Sequence, residues 1–289
     1  MITDKKVLAL QDVRICGGGR EIVHGVSFGL EPGGVVGIVG ESGSGKTLTC
    51  RSALGILPPG LRLSHGSISI DGQDISGLSP RQWTSLRGST IGAVFQDPAS
   101  YLNPSLTVGS QIAEVLRVKA GLGRRPAKQR ALELLAEVHL RDPHRVYGRY
   151  PHELSGGMQQ RVLIAAAISL RPKILIADEA TTALDVTVQA EILDLLTDLR
   201  ESTGLALVVV SHDLAVVAQL CEQVLVMRDG AVVEQGPTAA VLHDPQHAYT
   251  RLLITEHEQY GLDRYLDRAD PLAGPGPLDR PDLKEPAGA

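Results

Sequence analysis

Eight residues, Gly40-Glu41-Ser42-Gly43-Ser44-Gly45-Lys46-Thr47, decide most of what this chain can become, because they match the G-x-x-x-x-G-K-[ST] pattern at every position. The glycines let the backbone turn tightly, so that successive N–H groups point inward at phosphate oxygens. Lys46 adds a mobile positive charge and Thr47 a hydroxyl for Mg²⁺. The apolar run Val35 to Val39 precedes the loop, and a helical pattern with Leu48, Leu54 and Leu57 facing a core follows it. That order, strand then loop then helix, is the one a cradle for β- and γ-phosphates requires. An isolated match arises by chance often enough; the segments that follow exclude chance here.

Upstream, Val7, Ala9, Val13 and Ile15, then Val23, Val26, Phe28 and Leu30, predict an antiparallel β region beside the loop, ending at Pro32-Gly33-Gly34. Ser67 to Ile75 alternates around Asp71-Gly72, a tight hairpin, and Ile91 to Phe95 is a short strand ending at Gln96-Asp97-Pro98. From Leu106 to Arg149 the pattern turns helical, with Ile112, Val115 and Leu116, then Leu132, Leu135, Ala136 and Leu140, as apolar faces. A glycine turn at Ser155-Gly156-Gly157 opens a helix with Val162, Ala165, Ala166 and Ser169 on one side. Lys173 to Ala177 is a buried parallel strand that delivers Asp178 and Glu179 at its C-terminal end, where α/β sheets place ligands. Leu205 to Val210 delivers Ser211-His212-Asp213 to the same edge, and Val224 to Val233 forms a hairpin. The expected organisation is an α/β core with an N-terminal β subdomain over 1–96 and 162–236, and a helical insert over 97–161. A C-terminal extension over 237–269 and a proline-rich disordered tail over 270–289 complete it.

The formal net charge of −5 excludes a generally basic nucleic-acid binder, and no nucleic-acid partner is expected. Cys16, Cys50 and Cys221 are too scattered for a metal site and are read as buried structural thiols in a reducing compartment. No apolar run approaches the ~18 residues that span a bilayer, so the chain is expected to be neither secreted nor membrane-inserted.

The two carboxylates carry the chemistry. Asp178, closing an apolar strand, suits Mg²⁺, usually held through water, and Glu179 is then left to orient and polarise an attacking water. At Leu154-Ser155-Gly156-Gly157 the chain resembles the ABC ATPases, whose signature has the L-S-G-G-Q form. The resemblance covers about residues 7 to 255. It implies an α/β ABC ATPase fold with a mainly parallel core sheet, an N-terminal antiparallel β subdomain and an inserted helical subdomain. It also makes Gln96 a catalytic and Mg²⁺-contacting Q-loop residue, Thr182-Ala183-Leu184-Asp185 the D-loop and His212 the switch histidine. ATP and Mg²⁺ are the implied cofactors. The family implies a head-to-tail dimer in which Ser155, Gly156 and Gly157 of one subunit contact the γ-phosphate on the other's loop, with Asp185 beside it.

Two departures stand out. Ala180 follows the glutamate where proline is common, and Ile15-Cys16-Gly17 occupies the place where an aromatic residue usually stacks on adenine. Weak discrimination between ATP and GTP is therefore expected. Tyr150-Pro151-His152-Glu153 resembles bacterial importers, and His247-Ala248-Tyr249-Thr250-Arg251-Leu252-Leu253 resembles the C-terminal mark of the peptide and nickel uptake group. Val23 to Ser27, Leu48 to Cys50, Leu54 to Pro58, Tyr260-Gly261 and the lack of cysteines beyond Cys221 favour nickel or a related metal chelate over di- or oligopeptides. The implied partners are separate transmembrane permease subunits, a second similar ATPase in a heterodimer with ATP sandwiched between, and indirectly an extracytoplasmic solute-binding protein. The implied place is the cytoplasmic face of the membrane. A soluble ABC ATPase acting on nucleic acid or ribosomes is the alternative from another class, and a phosphate-loop small-molecule kinase leaves Leu154 to Gly157 unexplained.

Overall fold

The computed structural model describes residues 6–181 and 184–258. Thr182-Ala183, Tyr260-Gly261 and the tail expected over 270–289 lie outside the described residues.

Two long strands, β1 (Leu8–Gly17) and β2 (Arg20–Leu30), pair antiparallel before β3 (Val35–Val39) enters the centre of the molecule. The phosphate loop then leads into α1 (Lys46–Ala53). This helix is shorter than its apolar pattern suggests. Gly55, at φ 62°, turns the chain out and its N–H donates to the Ser52 carbonyl, so Leu57 lies beyond the helix. The hairpin of β4 (Leu61–Ile70) and β5 (Gln73–Asp74) turns at Asp71 and Gly72, with φ of 51° and 80°, the backbone that an Asp-Gly tight turn adopts. After α2 (Pro80–Leu86) come β6 (Ile91–Phe95), α3 (Pro98–Tyr101), α4 (Val108–Lys119), α5 (Arg124–Glu137) and α6 (Pro143–Tyr147). The chain returns through α7 (Gly156–Ile168), β7 (Ile174–Asp178), α8 (Val186–Thr203), β8 (Ala206–Ser211) and α9 (Leu214–Leu220). The hairpin of β9 (Gln223–Arg228) and β10 (Ala231–Pro237), then α10 (Thr238–His243) and α11 (Ala248–Glu258), complete it.

The core sheet has the order β10-β9-β3-β8-β7-β6, parallel from β9 to β6 with β10 antiparallel at one edge. Its central strands β3, β7 and β8 are buried throughout, and the alternation along the sheet sorts the layers. Val36, Ile38, Ile174, Ile176, Val208 and Leu225 pack with α1 and the small sheet of order β2-β1-β4-β5. Val35, Val39, Leu175, Ala177, Leu207 and Val209 face the helices. Gly37 is required for that second layer, since a Cβ there would lie 2.8 Å from Val217 Cγ1 on α9.

Side-chain detail departs from the helical pattern in places. On α5 the buried residues are Ala127, Ala131, Leu132, Leu134 and Leu135, whereas Ala136 is exposed. The boundary expected between 161 and 162 falls inside α7, which buries Gln160 and Arg161 as well as Val162 and Ala165. Arg161 donates to the Val138 carbonyl at 3.0 Å and to Glu191 at 2.8 Å, tying α5 and α8 to α7. Cys50 and Cys221 are buried, and burial pushes both thiols up. Cys16 is only partly buried, with Sγ 3.2 Å from Ser64 Oγ, because the end of β1 reaches the surface. Among the described residues no helix is long and apolar enough to cross a membrane.

Candidate functional site

The parallel strands β3, β8, β7 and β6 end on one edge of the sheet, with Val39 opposite Ser211, Val210 opposite Asp178, and Asp178 opposite Phe95. The residue after each strand therefore reaches the same side. Gly40 opens the phosphate loop, His212 follows β8, Glu179 follows β7 and Gln96 follows β6. A cleft of about 690 Å³ runs along this edge, lined among others by Ser42, Thr47, Gln96, Asp178, Glu179 and His212.

The loop is arranged to hold an anion. Gly45 caps α1 in the left-handed region, at φ 99°, with no side chain bonding the first turn, so the helix presents its N-terminal N–H groups outward. Gly40 has φ 144°, and a Cβ there would lie 2.1 Å from the Met227 carbonyl, so nothing larger than glycine fits. The buried Ser44 hydroxyl has no hydrogen-bond partner among the described residues, a donor the folded chain leaves for something else. Lys46 is folded back on the loop, donating to the Gly40 carbonyl at 2.7 Å and the Glu41 carbonyl at 2.8 Å. Burial lowers its pKa, with the Glu179 and Asp178 carboxylates opposing. An arriving phosphate supplies the negative charge that this half-desolvated ammonium lacks.

Thr47 Oγ1 donates to Asp178 Oδ1 at 3.1 Å. The Asp178 carboxyl is held above the usual range, first by burial and then by Glu179, with the Thr47 bond, Arg51 and Lys46 opposing. A hydroxyl and a buried carboxylate in contact, at the foot of a phosphate cradle, are the hard oxygen donors that Mg²⁺ takes while keeping waters and phosphate oxygens as its remaining ligands. The residues present fit that ion. Glu179 has φ 51°, an unfavourable backbone for a residue with a Cβ, and its N–H donates to the Val210 carbonyl at 3.0 Å. The strain turns the chain sharply at the strand end. His212 Nδ1 lies 3.9 Å from Glu179 Oε2 across the cleft. Behind His212, Asp213 caps α9 and accepts from Gln189 of α8 at 3.1 Å, which fixes the turn carrying the histidine.

Ser155, Gly156 and Gly157 do not join this cleft within the chain. They open α7 on another part of the surface, Ser155 and Gly156 exposed, with Ser155 Oγ accepting from Met158 N at 3.4 Å. Asp185 caps α8, accepting from Val188 N at 3.0 Å, and is also exposed. At the end of β1, where the family resemblance places an aromatic residue against the base, partly buried Cys16 stands.

Arg51 and Tyr101, on this side of the molecule, escape a reading of the sequence, and Tyr249 enters it only within the C-terminal mark. Arg51 lies one helical turn beyond Thr47, a spacing that could have placed it in the cleft, and its guanidinium is 6.0 Å from the Phe95 ring. Tyr101 stacks on the same ring at 5.1 Å. Tyr249 of α11 meets the loop itself, its hydroxyl accepting from Glu41 N at 3.0 Å.

A family model described as ABC transporter matches residues 23–182. Dipeptide transport ATP-binding protein DppD of Escherichia coli (strain K12) is 43% identical over 259 residues, which cover 90% of this chain and 79% of that protein. Oligopeptide transport ATP-binding protein OppD of Bacillus subtilis (strain 168) is 43% identical over 256 residues, covering 86% of this chain and 71% of that one. Among solved structures, the dimeric post-hydrolysis state of the ATP-binding cassette MJ0796, bound to ADP and Pi, superposes with a TM-score of 0.70. It has 31% sequence identity and covers 80% of this chain and 98% of its own. These matches run over most of the chain: it belongs to the ABC transporter ATP-binding family, the ATPases that power transport.

Proposed function

We propose that this chain is the ATP-hydrolysing subunit of a di- or oligopeptide importer, working at the cytoplasmic face of a membrane with separate permease subunits. The observation that carries the ATPase half is the convergence of Thr47, Gln96, Asp178, Glu179 and His212 on one cleft beside the phosphate loop. Peptide cargo is supported by DppD and OppD, relatives whose names specify dipeptide and oligopeptide transport. Nickel, the cargo favoured by the sequence alone, gains nothing from them. An ATPase subunit does not touch the cargo, so its residues carry family likeness rather than cargo chemistry.

In this reading the N–H groups of Gly40 to Thr47 cradle the β- and γ-phosphates, and Lys46 leaves the Gly40 and Glu41 carbonyls to join them. Thr47, Asp178 and Gln96 hold Mg²⁺, which supplies charge neutralisation at the phosphates when bound. Glu179, fixed by its strained backbone, orients and polarises the attacking water. His212 faces the γ-phosphate from the neighbouring strand end, with Asp213 and Gln189 holding its turn. Ser155 to Gly157 do not line this chain's own cleft, which supports their role in trans, opposite the loop of a second, similar ATPase, with Asp185 beside them. The dimeric state of the MJ0796 cassette supports the pairing of two such chains. The helical segment 97–161 works as the unit that meets the permease. Exposed Tyr101, which lines the cleft with Gln96, and exposed Leu106 support a contact there. An extracytoplasmic binding protein feeds the permease.

The test is uptake of a labelled dipeptide and of labelled nickel, in cells lacking other importers, carrying wild-type chain or Glu179→Gln. Loss of dipeptide uptake alone is expected. Loss of nickel uptake alone overturns the cargo and leaves the ATPase reading standing.

A further inference from the structure

The C-terminal segment His247 to Leu253 has no part in the chemistry above, yet it reaches the phosphate loop. Glu234 of β10 accepts from Gln246 N at 2.7 Å and from His247 N at 3.0 Å, and His247 Nδ1 accepts from Tyr249 N at 3.2 Å. These bonds fix the start of α11 on the β9–β10 hairpin. Tyr249 is thereby buried to 2% exposure, with the Arg228 guanidinium 4.8 Å from its ring centre. Burial pushes its phenol up, so the hydroxyl stays protonated at neutral pH.

That hydroxyl accepts from Glu41 N, 208 residues away in sequence. The Glu41 N–H and the Gly40 carbonyl belong to one planar peptide unit, and the carbonyl side of that unit accepts from Lys46 Nζ at 2.7 Å. The unit is thus held at both ends, by Lys46 on one side and Tyr249 on the other. Its neighbours are held as well. Gly40 lies against the Met227 carbonyl, and Gly230 N donates to the Ser44 carbonyl at 3.1 Å. When Lys46 turns to a phosphate, the carbonyl end is released while Tyr249 still holds the N–H end of the peptide.

We propose that Tyr249 is a positioning residue of the nucleotide site: its hydroxyl orients the Gly40–Glu41 peptide while the loop is occupied, and α11 in turn responds to occupancy. The proposal rests on the loop being where the phosphates bind. The reverse effect is required by linkage, since a contact that favours the occupied loop must itself be favoured by occupancy. Glu41 is exposed, so water replaces the Tyr249 bond in the empty protein at little cost to stability. The effect therefore belongs on affinity rather than on folding.

Tyr249→Phe keeps the ring and its packing and removes only the hydroxyl. In the full chain, ATP affinity is expected to fall roughly 3- to 10-fold with Tm within about 2 °C of wild type. In membranes holding the assembled transporter, KM for ATP rises by the same factor with kcat unchanged. ATP slows amide hydrogen exchange across residues 248–256 in the wild type, and this protection is lost in Tyr249→Phe. Unchanged affinity and intact ATP-induced protection in Tyr249→Phe overturn the proposal, as does a fall in Tm with KM unmoved, which makes Tyr249 an anchor for α11 only. Lys46→Ala separates the two readings: it abolishes ATP binding if the loop is the site, and if it binds ATP normally the site reading fails, and this proposal with it.

Discussion

Two glycine-bearing turns open helices in this molecule, and they are built for opposite situations. At the start of α1, Gly45 sits in the left-handed region with no side chain closing the first turn, Lys46 is buried behind it, and Ser44 keeps an unpartnered hydroxyl. At the start of α7, Ser155 closes its own helix by accepting from Met158 N, and Ser155 and Gly156 stand in water. The first turn is incomplete as folded, with charge and donors gathered round a gap. The second is satisfied by itself and leaves Ser155 and Gly156 exposed. A gap within the chain calls for a small anion, whereas a finished surface calls for another macromolecule. The difference is the one the proposed pairing needs: one chain supplies the cleft, and the α7 turn of a partner would close over it.

The sharpest way to break that comparison is at the chemistry. Glu179→Gln is expected to lower ATP turnover by roughly 10²- to 10⁴-fold, the range of general-base contributions, while ATP binding remains and the ATP-bound dimer persists. Turnover and dimer lifetime are both measurable on the purified ATPase pair. Full activity in this variant removes Glu179 from the reaction and the closed-dimer scheme with it.

How much of this was legible follows the range of the interactions. The loop, the strand-end acids and the parallel core were readable because each is written in a run of consecutive residues: Val35 to Val39, Ile174 to Asp178, Leu205 to Val210. The Asp71-Gly72 turn was readable for the same reason. The helices α2, α3 and α9 were not, since 7, 4 and 7 residues are too few for a helical period to emerge from an apolar background. Burial of Arg161 was hidden because its partners, Val138 and Glu191, are 23 and 30 residues away. Tyr249 was noticed only as part of a C-terminal mark; its contact with Glu41 is invisible until the chain has folded. The lean to nickel over the peptide alternative gains no support from the relatives, for a different reason. Short scattered matches weigh little against likeness along most of the chain.

A second test lies at the α7 turn, where two adjacent glycines separate surface function from packing. A Cβ on Gly157 would lie 2.4 Å from Val188 Cγ1, against a branched side chain with few alternative rotamers. Gly157→Ala is therefore expected to cost about 1–3 kcal/mol of stability, as overpacking does, visible in a urea or thermal melt. On Gly156 the nearest atom to a Cβ is Leu184 Cδ2 at 3.6 Å, ordinary contact, so Gly156→Ala should leave the melt unchanged. If the turn serves the phosphate of a partner subunit, Gly156→Ala lowers ATPase activity of the pair while ATP binding to the separate chain is unaffected. Unaltered pair activity would mean that this surface does not close over nucleotide.

The smallest expected effect probes the gap itself, through Asp178. Its folded pKa lies above the ordinary aspartate value, chiefly because burial disfavours the charge. The unfolded chain binds fewer protons than the folded one between those two values, so stability falls as pH rises through that interval. The penalty is complete above the raised folded value and absent below the unfolded one, ~3.9. Asp178→Asn removes the charge and keeps the shape, so at pH 7.5 in the absence of nucleotide and Mg²⁺ it is expected to raise Tm by on the order of 1–3 °C. The gain should shrink as the pH is lowered toward 4. Saturating Mg²⁺ and ATP should reverse the order, because ligand stabilises only the wild type strongly. A variant less stable than wild type at pH 7.5 without ligand would show that the Thr47 bond outweighs burial, and that the empty cradle is not under the electrostatic tension that distinguishes it from the self-capped turn of α7.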